Sequence, residues 1–153
     1  MNNQILREDV RQFAERFQLW EPLRGKTLLI TGATGLIGSV MTKCLDVLND
    51  YRNLGLKIYA AVRDMEKAKR VFGGEMSCVE FLELNLMDFN ADDLPKGINY
   101  IVHLASPTNG KYIEEHPIET LNLAYQSTKN LLLGGVIWRV CCMCPRWNIT
   151  DKY

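Results

Sequence analysis

The chain has 153 residues, 47% hydrophobic and 24% charged, which is typical of a globular domain with one hydrophobic core. Its 18 basic residues balance 18 acidic ones, so no charge excess favours nucleic acid or an anionic membrane as a partner. No apolar run reaches the roughly 20 residues of a membrane span, and the first residues lack the apolar centre of a signal peptide. We therefore expect a cytoplasmic protein, and the odd number of five cysteines fits that expectation.

Helix and strand patterns alternate along the chain after an amphipathic N-terminal segment. Residues 3–18 place apolar side chains at helical spacing, which predicts a helix that packs against the domain or against a partner subunit. The elements predicted next are a strand at 26–31, a helix at 36–48, a strand from 56, a helix at 64–72, a strand at 78–84, a helical turn at 92–95, a strand at 98–105, a helix at 117–133 and a strand within 136–142. This alternation predicts an α/β fold: a Rossmann-like doubly wound parallel sheet with an extra N-terminal helix and a ligand crevice at the carboxyl ends of the strands.

A glycine-rich turn joins the first predicted strand to the helix after it. Its sequence, TGATGLIG, has GxxGxxG spacing, and a strand before it with a helix after it is the context in which such a motif binds phosphate. The first glycine makes the tight turn, the second lets backbone N–H groups approach a pyrophosphate, and the third lets the helix pack closely. The residues assigned to dinucleotide binding are Gly32, Ala33, Thr34, Gly35, Leu36, Ile37 and Gly38. A glycine turn without a ligand is the alternative.

This loop resembles that of the extended short-chain dehydrogenases/reductases, in particular the NAD-dependent epimerase/dehydratase family. The resemblance extends over about residues 25–133 and implies an NAD(P)-binding Rossmann domain there, after an N-terminal helix and linker at 1–24 and before an atypical tail at 134–153. It implies NAD or NADP as cofactor. Further cofactor contacts implied by the resemblance are Arg63, Asn85, Leu86, Leu104, Ala105 and Ser106.

The end of the second strand is where this family distinguishes NAD from NADP. Arg63 favours NADP, because an arginine there accommodates a 2′-phosphate, whereas an acid binds the ribose 2′-OH of NAD. Asp64 stands next to it, and an Arg63 that stacks on adenine or is simply solvated remains an equal alternative. After the third strand, Asn85 stands where an aspartate is commoner in the family. His103 by itself is typical of a buried core histidine, so the small Ala105 and Ser106 carry the cofactor assignment at the end of the fourth strand.

The segment 105–132 is most similar to the sugar-nucleotide branch of the family, in particular to UDP-glucuronate decarboxylases and related 4,6-dehydratases and 4-epimerases. The resemblance implies a nucleotide-sugar substrate, with Pro107, Thr108 and Tyr112 as candidate contacts. For Tyr112, an exposed loop tyrosine without a functional role is an equal alternative. A homodimer is a further expectation.

Family enzymes take their catalytic groups from a Ser or Thr at the end of the fifth strand and a Tyr-x-x-x-Lys on the following helix. Tyr125 and Lys129 have that spacing, but by resemblance they lie on the helix after strand four. There the family pattern is Asn-x-x-Gly-Thr-x-Asn-Leu; Thr128, Asn130 and Leu131 match it, whereas Ala124 and Ser127 depart from it. We therefore expect Tyr125 and Lys129 on a packing or solvent-facing stripe, and assign no catalytic residue.

The tail at 134–153 differs in composition from the rest of the chain. Its cysteines, Cys141, Cys142 and Cys144, have no histidine or acidic cluster beside them to complete a zinc site, so no metal is expected. The sequence thus predicts the cofactor-binding part of a sugar-nucleotide enzyme whose usual continuation was lost by frameshift or truncation. A nucleotide-binding module or assembly subunit without catalysis is the first alternative, and a domain that no longer binds cofactor is the second.

Overall fold

Strands and helices alternate along the chain as the sequence predicts. The computed structural model describes residues 4–74, 76–107, 110–133 and 139–142. The helices are α1 (Gln4–Arg16), α2 (Leu36–Arg52), α3 (Met65–Phe72), α4 (Gly110–Glu115) and α5 (Pro117–Leu133), with 3-10 turns at Glu21–Leu23 and Ala91–Asp93. The strands are β1 (Thr27–Thr31), β2 (Lys57–Val62), β3 (Val79–Glu83), β4 (Tyr100–His103) and β5 (Arg139–Cys142).

These strands form one parallel sheet in the order β3-β2-β1-β4-β5. Thr31, the last residue of β1, lies between Ala61 of β2 and His103 of β4. The direction of winding reverses at β1, so the carboxyl ends of β1 and β4 border the crevice where ligands bind in open α/β sheets. The predicted Rossmann-like doubly wound sheet is confirmed.

Each face of the sheet is buried by different helices. On one face, α1, α2 and α3 contribute Ala14, Leu45, Leu48 and Ala68 to a core with the strand residues Leu28, Ile30, Ile58 and Ala60. On the other face, α5 and the segment before β4 contribute Leu131, Leu86, Phe89 and Leu94 to a core with Leu29 and Ile101. Strand residues are apolar on both sides because helices cover both faces of a parallel sheet.

The N-terminal helix α1 packs against this same domain. Its Val10 and Ala14 are buried, and Phe13 and Phe17 pack on the first core. The end of α1 and the linker after it both contact Arg52 at the end of α2. The Arg52 guanidinium lies 5.4 Å from the Trp20 ring centroid and donates a hydrogen bond to the Glu15 carbonyl at 3.0 Å. Of the two predicted roles of this helix, packing against the domain is confirmed.

Several element boundaries differ from the prediction. Helix α2 continues four residues further, to Arg52, because Asn53 adopts a left-handed conformation (φ 49°) that ends it there. Strand β4 ends at His103, two residues before the predicted end. The short helix α4 was not predicted, since six residues give too little periodicity to detect.

Among the described residues, no helix is both long enough and apolar enough to cross a lipid bilayer. The side chains of Cys141, Cys142 and Cys144 lie outside the described part of the chain, so the expectation about zinc stays a prediction.

Candidate functional site at the ends of β1 and β4

The glycine loop after β1 lies against the backbone that leaves β4. Gly32 has a φ of +67°, and a Cβ placed on it would lie 2.7 Å from the backbone nitrogen of Ala105 and 2.7 Å from the carbonyl carbon of Leu104. Only glycine tolerates both the positive φ and this approach. Gly35 closes the turn by donating its N–H to the Gly32 carbonyl at 2.9 Å. The two loops of the crevice are therefore in direct contact.

Helix α2 begins directly on this loop. A Cβ on Gly38 would overlap the Gly32 carbonyl oxygen and lie 2.9 Å from the Ala33 Cα, so a side chain there would push the helix away. No side chain caps the helix at Gly35, and the N–H groups of the first turn have no acceptor within the helix. Leu36 and Ile37 are 86% and 56% exposed. This open helix N-terminus has the donors and the dipole that favour a bound phosphate.

Two of the residues assigned to the cofactor have their side chains in the core. Ala33 is fully buried in the first core, and Leu86 is 6% exposed in the second. Thr34 is half-buried on the loop. Any contact that Ala33 or Leu86 makes with a ligand therefore comes from its backbone.

At the end of β2, the side chains of the two candidate cofactor-selecting residues have different partners. The Asp64 carboxylate caps α3 by accepting the N–H of Lys67 at 2.8 Å. Arg63 is exposed, and it forms no ion pair with a carboxylate of the described residues. Both side chains are exposed at this strand end, and one carboxylate oxygen of Asp64 is engaged in capping α3.

Asn85 follows β3 and forms a turn with its own backbone. Its side-chain oxygen accepts the N–H of Met87 at 3.2 Å, and its carbonyl accepts the N–H of Asp88 at 3.0 Å. The residue is exposed, and its side-chain amide N–H₂ remains a donor.

The segment after β4 is held to the end of β1. Leu104 donates its N–H to the Thr31 carbonyl at 3.2 Å, and Ala105 donates its N–H to Thr31 Oγ1 at 3.4 Å. Ser106 is exposed and its hydroxyl donates to the Pro107 carbonyl at 3.4 Å. Of the substrate-contact candidates, Pro107 is half-buried, Thr108 lies outside the described residues, and Tyr112 is 43% exposed on α4 with its ring centroid 4.7 Å from that of His116.

His103 is buried, as its position in β4 predicts, and it has a polar partner on each side. Thr31 Oγ1 lies 2.6 Å from Nδ1, and Ser127 Oγ of α5 lies 3.1 Å from Nε2. Burial lowers the pKa of His103 below its ordinary value, because desolvation disfavours the charged ring. Sequence reasoning missed the contacts of Thr31 and Ser127 with His103, because the two residues stand 72 and 24 positions away from it in the chain.

Tyr125 and Lys129 lie on α5, the helix that follows β4. Tyr125 is 64% exposed and Lys129 is exposed. Their placement on a solvent-facing stripe is confirmed; the absence of a catalytic role stays a prediction.

A separate apolar groove of about 840 Å³ lies on the first face of the sheet, between α1, α2 and β4. Phe13, Phe17, Val40 and Tyr100 are among its lining residues, and Leu36 and Ile37 border it. It lacks the polar groups that a nucleotide needs, so it is separate from the candidate phosphate site.

The order of the strands and the glycine loop at the reversal point define a Rossmann-like domain of the dinucleotide-binding type. The sequence model of the NAD dependent epimerase/dehydratase family matches residues 28–133, and the chain belongs to that family.

One relative and two solved structures resemble about three quarters of this chain, and the two structures share its fold. The chain is 28% identical over 119 residues to a UDP-glucose 4-epimerase of Rickettsia bellii, a match that covers 75% of this chain and 34% of that protein. Among solved structures, WbmF of Bordetella bronchiseptica in complex with NAD+ has a TM-score of 0.55 at 17% identity and covers 74% of this chain and 33% of its own. UDP-N-acetylglucosamine 4-epimerase of Methanobrevibacter ruminantium, in complex with UDP-N-acetylmuramic acid, has a TM-score of 0.56 at 16% identity and covers 72% and 34%. The chain thus spans about a third of the length of these relatives.

Proposed function

We propose that this chain is the NAD(P)-binding part of a sugar-nucleotide epimerase, dehydratase or decarboxylase, and that by itself it turns over little or no substrate. The observation that supports this proposal best is the contact between Gly32 and the Leu104–Ala105 backbone. It joins an uncapped helix N-terminus to the loop after β4 at the point where the winding of the sheet reverses, and this is where Rossmann-like domains bind dinucleotides.

The described residues fit such a cofactor. The first-turn N–H groups of α2 would hold the pyrophosphate, because no side chain occupies that position. Arg63 and Asn85 would face the adenosine half, and the Leu104–Ser106 backbone would line the nicotinamide ribose. The bound nicotinamide would supply hydride transfer, while this part of the chain binds and orients it. The exposed Arg63 beside a capping Asp64 favours NADP over NAD.

We further propose the class of substrate that the whole enzyme binds. The Rickettsia relative is a UDP-glucose epimerase and the Methanobrevibacter structure contains a UDP-sugar, which supports a nucleotide-sugar substrate with Pro107, Thr108 and Tyr112 as its contacts. Within that class, similarity to UDP-glucuronate decarboxylases over residues 105–132 is our basis for preferring that branch. The cofactor unit would extend over residues 25–133.

Titration of the purified chain with NAD and NADP, followed by calorimetry, tests the proposal. We expect saturable binding of at least one dinucleotide, and no binding of either would refute cofactor binding. Chromatographic analysis of UDP- and dTDP-sugars after incubation with the chain and a dinucleotide tests the second half of the proposal. Products must be followed rather than nicotinamide absorbance, because epimerisation, dehydration and decarboxylation return the hydride to the sugar; rapid turnover would contradict this half.

An alternative is a non-catalytic nucleotide-binding subunit that assembles with a second copy of itself. One observation favours assembly: an exposed apolar stripe on α5, formed by Ile118, Leu121, Tyr125 and Leu132, each at least 53% exposed. Their spacing of three, four and seven residues places them on one face of the helix. A two-fold axis that pairs this stripe with the same stripe of another copy would bury both.

A further inference from the structure

Three buried polar side chains connect the crevice to helix α5. Thr31 and Ser127 are fully buried and His103 is 7% exposed. Thr31 ends β1, His103 ends β4, and Ser127 lies in α5. The His103 ring lies between the two hydroxyls, with Nδ1 2.6 Å from Thr31 Oγ1 and Nε2 3.1 Å from Ser127 Oγ. None of the three is open enough to touch a ligand directly.

The hydrogen bonds fix the position of each proton. The Ser127 hydroxyl donates to the Leu123 carbonyl, which only accepts, so its oxygen must accept from His103 Nε2–H. Nδ1 then carries no proton and accepts from the Thr31 hydroxyl. Thr31 Oγ1 in turn accepts the Ala105 N–H at 3.4 Å. Every donor has an acceptor only when the ring is neutral and protonated on Nε2.

This network ends at the Ala105 amide, which also leaves no room for a side chain at Gly32 of the glycine loop. The nitrogen of Ala105, bonded to Thr31 Oγ1, is the atom that lies 2.7 Å from the Cβ position of Gly32. A shift of Thr31 or His103 would therefore move the backbone that covers the loop. The family pattern noted above has a glycine at position 127, which has no side chain to accept from Nε2–H. Ser127, one of the two residues by which this chain departs from the pattern, thus completes the network.

We propose that His103, held by Ser127 and Thr31, is a positioning residue for the dinucleotide: it fixes the Leu104–Ala105 backbone against Gly32. This inference rests on the proposed function. Cofactor affinity then depends on the Ser127 hydroxyl, a group on α5 that lies outside the binding site. If Ser127 is replaced by alanine, Nε2–H loses its buried acceptor, and the ring is free to change tautomer or to move away from Thr31.

Ser127→Ala tests this, with Thr128→Ala as the matched control. Both hydroxyls donate to the carbonyl four residues earlier on α5, and of the two only Ser127 bonds His103. For Ser127→Ala we expect a Kd for NAD or NADP raised about 3- to 10-fold, the effect of one buried hydrogen bond. We expect no comparable change for Thr128→Ala. Equal affinity of wild type and Ser127→Ala would overturn the role of His103 while leaving the proposed function intact.

Ring ¹⁵N NMR gives a second readout, and its wild-type spectrum alone tests the network even if the Ser127→Ala chain does not fold. We expect a neutral His103 protonated on Nε2, and a Ser127→Ala spectrum with a mixture of tautomers. A proton on Nδ1 in the wild type would overturn the network. If the wild type binds neither dinucleotide, the proposed function fails and so does a role of His103 toward a cofactor, whereas the ring spectrum still decides the network itself.

Discussion

Gly32 and Ala105 touch through their backbones, with 2.7 Å between the Cβ position of the glycine and the amide nitrogen of the alanine. This contact joins the loop after β1 to the loop after β4, although 72 residues separate the two in sequence. Because of this contact, a methyl group added at position 32 would overlap backbone atoms of Leu104 and Ala105. Backbone atoms cannot rotate out of the way as the end of a long side chain can.

Gly32→Ala should therefore both destabilise the fold and abolish cofactor binding. The positive φ and the overlap together should lower the free energy of unfolding by about 2 kcal/mol or more. Gly55→Ala is the matched control, because Gly55 has nearly the same φ (+66°) but nothing within 4 Å of its Cβ position. That variant should lose only about 1 kcal/mol and keep its affinity. Urea unfolding and calorimetric titration measure both effects, and equal losses in the two variants would contradict the importance of the contact.

Arg63→Ser should weaken NADP binding about 10-fold or more and leave NAD binding nearly unchanged, since a 2′-phosphate loses its charged partner. Arg70→Ser removes an equally exposed arginine from the last turn of α3 and should change neither affinity. Calorimetry with both dinucleotides provides the comparison. An equal loss of NAD and NADP affinity in Arg63→Ser would indicate adenine stacking instead of phosphate recognition.

The buried, neutral His103 should make stability depend on pH. Burial lowers its pKa in the folded state, so the unfolded chain takes up a proton below about pH 6.5 while the folded chain does not. Stability should thus fall as the pH drops from about 6.5 towards the lower folded pKa, by up to about 1.4 kcal/mol per pH unit. Urea unfolding between pH 5 and 8 measures this slope. His103→Gln should reduce it, and an unchanged slope in that variant would contradict the buried neutral histidine.

Self-association should depend on the α5 stripe. Leu121→Glu places a charge in the middle of the stripe and should convert a dimer into a monomer, as measured by size exclusion with light scattering. Gln12→Glu adds the same charge at an exposed position of α1, away from α5, and should leave the dimer intact. A wild-type chain that stays monomeric at high concentration would refute the homodimer.

Tyr125→Phe should leave cofactor affinity unchanged, because this exposed phenol lies on α5 and not in the crevice. The same titration with NAD and NADP checks it. A large loss of affinity would mean that Tyr125 has a role at the cofactor site.

Much of the site could be read from the sequence because it depends on local features. The glycines at 32, 35 and 38 predict a turn and a closely packed helix. The alternation of apolar strands with amphipathic helices predicts a parallel sheet. A short helix such as α4, with six residues, shows too little hydrophobic periodicity to be predicted. Arg63 and Asp64 were both visible as candidates, but their spacing could not show that the Asp64 carboxylate is engaged in capping α3.

The sequence by itself determined the class of fold, the position of the glycine-rich loop and the family, since each depends on residues that are close along the chain. Only the tertiary structure decided which distant residues meet: Gly32 with Ala105, and Thr31 with His103 and Ser127. Such contacts depend on strand order and on the register of β1 with β4. The physical reason is that hydrogen bonds and steric contacts act over a few ångströms in space, whatever the separation along the chain.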